Sequence, residues 1–127
     1  MTDGDGFTIL NRDEFETMEG SGECTWHLVR RPLELEAFGI NLVEIGPGGQ
    51  IPEHDEGGSG QVEVFGILAG EGKFRLNGSD HDAPAGSFVR MDPGVTRTIV
   101  NDSEAPLTAL LIGVPADSGY KSGSDWL

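Results

Sequence analysis

His54 and Glu56 stand two residues apart, so on an extended strand both side chains leave the same face. Glu63 follows in the run Val62-Glu63-Val64-Phe65-Gly66-Ile67-Leu68, where alternation puts Glu63, Phe65 and Ile67 on one side. Burying a carboxylate in so apolar a run is costly unless a metal, an arginine or a proton compensates it. Arg97, which lies on a strand with apolar neighbours after the Asp92-Pro93-Gly94 turn, is the candidate counter-charge. One histidine, two glutamates and one arginine are therefore expected to converge in a barrel interior. Imidazole nitrogen and carboxylate oxygen are ligands for Zn, Mn or Fe. A guanidinium is not, because it stays protonated and brings positive charge toward the cation.

Two chemistries follow. In one, His54, Glu56 and Glu63 hold a divalent metal and water completes its shell. In the other, Arg97 pairs with Glu63 or Glu56 and fills the space a metal would occupy. In that second case Arg97 is available to a carboxylate or phosphate, and Phe65 and Ile67 form the apolar wall of a small-ligand site.

The remaining reactive side chains read as ordinary. His81 follows a hairpin turn and is expected in solvent, whereas His27 fits either an exposed strand position or the mouth of a barrel. Cys24 has no basic neighbour to activate it, and as the one cysteine it forms no internal disulfide, which fits a reducing compartment. Gly70-Glu71-Gly72 precedes no helix and is a turn, not a phosphate loop. Three histidines are too few to argue a Ser-His-Asp arrangement.

The elements that must position these groups are short strands. Cys24, Trp26 and Leu28 alternate with Thr25, His27 and Val29, and Phe38, Ile40 and Leu42 alternate likewise. Residues 62–68 are apolar almost throughout, as in a strand covered on both sides. Phe74 and Leu76 alternate with Lys73 and Arg75 before Asn77-Gly78, a type I′ hairpin signal. Further strands are expected over 87–91, 96–100 and 107–114, with Gly- and Pro-rich turns between them. One helix is expected over residues 11–19, capped by Asn11 with Glu14 three residues on, with Phe15 and Met18 on one face and Gly20 ending it. Short strands at this spacing describe an all-β sandwich or barrel.

The 127 residues suit one domain, with a barrel core over 24–115, an N-terminal extension over 1–20 and a polar tail over 116–127 that Tyr120 and Trp126 could pin to the barrel or to a second subunit. Twenty-two acidic against 8 basic residues give a net charge of −14, and only two of the basic residues, Lys73 and Lys121, are lysines. Such a surface repels nucleic acid and anionic membranes. It also fits a halophilic protein, stabilised as salt screens its self-repulsion. No apolar run follows the acidic N-terminus and none reaches membrane-spanning length, so a soluble cytoplasmic protein is expected.

Gly48, then His54-Asp55-Glu56 after five residues, then Glu63 with Gly70 seven further on, resembles the first motif of the cupins. Gly86, Pro93-Gly94, Arg97 and Asn101 are similar to the second motif. The resemblance covers roughly residues 40–114. It implies a closed antiparallel barrel of jelly-roll type, the cupin double-stranded β-helix. It also implies a metal held by two histidines and a glutamate of the first motif and a histidine of the second. His54 and Glu63 match; Glu56 stands where the second histidine would be, and Arg97 where the last would be. Six residues separate Glu56 from Glu63, more than the motif usually has, and Ser87 replaces the frequent aspartate after Gly86. Two functions of different class follow: a cupin with a degenerate metal site that binds a small, anionic ligand, or a metal-dependent cupin enzyme such as a dioxygenase or isomerase. A homodimer is expected, through sheet edges and the apolar 107–114 strand.

Overall fold

The structure, a computed structural model, describes residues 5–124. Among them, period-two alternation resolves into nine strands: β1 (Thr17–Gly20), β2 (Cys24–Leu28), β3 (Gly39–Ile45), β4 (Gln61–Ala69), β5 (Glu71–Leu76), β6 (Ser79–Pro84), β7 (Phe88–Met91), β8 (Arg97–Val100) and β9 (Leu107–Pro115). All pair antiparallel. One sheet has the order β1-β2-β3-β9-β4-β7 and the other β6-β5-β8. Bridges from Gln50 to Val100 and from His54 to Arg97 lay the chain between β3 and β4 along β8, widening the smaller sheet. The result is the antiparallel jelly-roll barrel that the sequence implies.

Inward rows from both sheets meet in one core. Val43, Ile45, Phe65 and Ile67 of the larger sheet pack in a single cluster with Phe74 and Ile99 of the smaller. Asn77 and Gly78 have φ of 50° and 83°, as a two-residue type I′ hairpin between β5 and β6 requires. Asn101 is fully buried, and its amide donates to the Ile45 and Ala105 carbonyls while its oxygen accepts from Ser103. It thereby ties the β8–β9 loop to β3. Among the described residues no helix is long and apolar enough to cross a membrane.

Three expectations change. The helix over 11–19 is only a 3-10 turn, Arg12–Glu14. Its capping box forms, but Phe15 is extended and Thr17–Gly20 pair with β2 instead. With Met18 half-exposed, a helix here would bury too little to compete with a strand ladder. Residues 62–68 are sealed on one side and only partly covered on the other. Phe65 and Ile67 are sealed, whereas Val62 and Val64 are partly exposed and Leu68 half-exposed. Finally, β9 is not an edge, because β3 and β4 occupy both of its sides. Trp126 lies outside the described residues.

Candidate metal centre

The bridge between the 50–54 segment and β8 sets His54 directly opposite Arg97. His54 N donates to Arg97 O at 3.2 Å, and Arg97 N donates to His54 O at 2.8 Å. Side chains of directly opposed residues leave on the same side of a sheet. On β8 that side is inward, since Arg97 alternates with the core residue Ile99. On β4, Glu63 continues the inward row of Phe65 and Ile67 at the strand end where it pairs with Met91 and Gly113. Glu56 sits on the loop after the bridge, not on a strand, and its N–H donates to Pro93 O at 2.8 Å. The four side chains meet at one end of the barrel, but Glu56 reaches it from a loop and not, as expected, from a strand face shared with His54.

His54 Nδ1 lies 2.9 Å from Pro52 O, an acceptor only, so Nδ1 carries the proton in the neutral ring. Nε2 faces Glu56 Oε2 at 3.3 Å and Glu63 Oε1 at 3.8 Å. One donor atom from each of the three residues lies within 4.8 Å of the others. Glu63 Oε1 is buried without a hydrogen-bond partner. Burial pushes the Glu63 carboxyl above the usual carboxylate range and the Glu56 charge adds to this, while Arg97 and His54 pull the other way. One imidazole nitrogen and two carboxylate oxygens therefore face one another, a donor set that fits a divalent cation.

At the fourth position the fit fails. Arg97 is 0% exposed; its Nη2 donates to Asp92 O at 2.8 Å, and Nη1 stands 3.6 Å from Glu63 Oε1. That separation is an ion pair without a hydrogen bond, so Nη1 and Nε remain unpartnered. The guanidinium competes with any metal for the same carboxylate oxygen. Phe65 and Ile67 are also fully buried, beneath Glu63.

The other candidates lie elsewhere. His27 is buried on the outward row of β2, with Nε2 3.6 Å from Glu44 Oε1, which Arg12 also meets at 2.8 Å. His81 is exposed on β6. Cys24 is buried, its thiol donates to Gln50 O at 3.3 Å, and burial and then Glu23 push its pKa up, the state of an inert thiol. Sequence reading missed the backbone acceptors Pro52 O and Asp92 O, for which no residue type is a signal.

Comparison with known proteins bears on the fold. The family described as the cupin domain matches residues 41–113. No curated protein matches the chain. Among solved structures, a predicted oxalate decarboxylase of Thermotoga maritima superposes with a TM-score of 0.74 at 24% identity, covering 85% of this chain and 99% of that one. A sugar phosphate isomerase from a cupin superfamily of Silicibacter pomeroyi gives 0.72 at 20%, covering 86% and 76%. The polyketide cyclase RemF of Streptomyces resistomycificus gives 0.72 at 17%, covering 84% and 78%.

Proposed function

The chain belongs to the cupin family, and from that premise we propose that it is a ligand-binding cupin with a metal centre reduced to His54, Glu56 and Glu63. The observation that carries this reading is the convergence of three donor atoms beside a sealed arginine that offers no fourth. A Zn, Mn or Fe ion held there would act as a Lewis acid on a ligand oxygen. With Nδ1 held by Pro52 O, His54 would present Nε2 to the ion. Arg97 offsets one of the two carboxylate charges, so with a divalent ion held there the site would carry net positive charge and favour a small anionic ligand arriving from the exposed His54 side. Phe65 and Ile67, expected as the apolar wall, are sealed in the core beneath Glu63 and present no surface to a ligand. Metal analysis of protein purified without chelator or affinity-tag nickel should find well under one equivalent per chain. A full equivalent favours the second reading, a metal-dependent enzyme, for which the unpartnered Glu63 oxygen speaks.

The same reading takes the protein as a homodimer. Since β9 has no free edge, the contact is the outer face of the larger sheet, where Ile40, Leu42, Leu110, Ile112, Val62 and Val64 are only partly covered. A groove of about 380 Å³, lined by Ala37, Phe38, Ile112, Val114, Ser118 and Tyr120, continues that apolar face toward the tail. Light scattering at high salt should give twice the chain mass of 13.5 kDa; the single-chain mass rules the dimer out.

A further inference from the structure

Six residues separate Glu56 from Glu63, and four of them, 57–60, make a turn that closes back on Glu56. The Glu56 carbonyl accepts from Ser59 N at 3.1 Å and from Gly60 N at 2.8 Å, with Gly60 at a φ of 68° that favours glycine. Ser59 Oγ lies 3.0 Å from Glu56 Oε1 and 3.3 Å from Glu56 O. That carbonyl already takes two N–H groups, whereas the carboxylate is charged and the closer acceptor. The hydroxyl proton therefore goes to Oε1. With Oε1 occupied, Oε2 is the oxygen turned to His54 Nε2, at 3.3 Å.

We propose that Ser59 is a positioning residue for the metal centre: its hydroxyl holds Glu56 Oε1 so that Oε2 faces His54 and the cation. The proposal rests on the three-donor reading of the site. Glu56 comes from a loop, and a glutamate side chain with free torsions loses rotamer entropy when it ligates. A turn that returns a hydroxyl to the same carboxylate fixes it in advance. The long spacing after Glu56 thereby has a use: it supplies the residues that orient the ligand standing where the family has a histidine. With only three donors, each one held in advance matters more.

The test uses the full chain, chelator-treated, as wild type, Ser59→Ala and Ser59→Thr. Manganese uptake is read from the EPR signal of the free ion, and the Glu56 side-chain rotamer of the metal-free protein from NMR couplings. Ser59→Ala should weaken manganese binding by about tenfold or more, the usual cost of losing a partner that orients a ligand. Its metal-free melting temperature should match wild type, its Glu56 couplings should become averaged, and Ser59→Thr should restore both readouts. Equal manganese affinity in Ser59→Ala and wild type, or an unchanged Glu56 rotamer in Ser59→Ala, overturns the proposal. If wild type takes up no manganese, the metal reading fails on its own, and the metal-free rotamer decides for or against Ser59.

Discussion

Replacing Arg97 with histidine is expected to raise affinity for zinc and manganese by more than tenfold. A tenfold change needs only about 1.4 kcal/mol, within what one new ligand bond supplies. The substitution acts twice. It removes a positive charge 3.6 Å from Glu63 Oε1, and it puts a ring nitrogen opposite His54, on the side where the other donors converge. It also gives up the bond to Asp92 O, so the variant should melt below wild type. Arg97→Met separates the two effects, because it removes the charge and adds no donor. A gain in both variants assigns the weakness to charge, and a gain in Arg97→His alone assigns it to the missing ligand. No gain in either means that the placement of Glu56 and Glu63 limits the site and that Arg97 does not weaken it.

The second large effect belongs to Glu63. Glu63→Gln should cost metal affinity about a hundredfold, roughly 2.8 kcal/mol, since an anionic donor becomes a neutral amide. The metal-free protein should respond differently. A carboxyl whose pKa is raised on folding binds more protons in the folded than in the unfolded chain. Its contribution to stability is then fully present below the unfolded pKa and is lost as pH rises through the raised folded value. Wild type should therefore lose stability over that window and Glu63→Gln should lack that loss, so at neutral pH the variant should melt no lower than wild type. Melting curves across pH for both proteins check this. A marked destabilisation of Glu63→Gln at neutral pH would show that the Arg97 ion pair outweighs burial and the Glu56 charge.

Much of this arrangement was legible in the residues. Alternation on β4 placed Glu63 with Phe65 and Ile67, the second motif placed Arg97 inward, and the Asn-Gly pair marked a real hairpin. The first and the last depend on strand period and turn dihedrals, which are local, whereas the second rests on the resemblance to the cupin motif. The misreadings came from non-local competition. Residues 11–19 carry a sound capping box, yet β2 offers Thr17–Gly20 a ladder that two apolar side chains could not match. The 107–114 run looked suited to an edge but lies between β3 and β4, an order that no local pattern reveals. The sealing of Arg97 and the carbonyls that fix it and His54 depend on where loops return, and a carbonyl belongs to every residue type.

A metal centre of three donors weakened by a buried arginine is tested most directly by calorimetric titration of chelator-treated wild type with manganese, beside His54→Ala. One weak site per chain is predicted, with a Kd of about 10 µM or above, equivalent to roughly 7 kcal/mol or less of binding, and no binding in His54→Ala. Tight stoichiometric binding by wild type would contradict this picture, because Arg97 would then not be weakening the site. Binding that survives in His54→Ala would contradict it as well, because the donors would lie elsewhere.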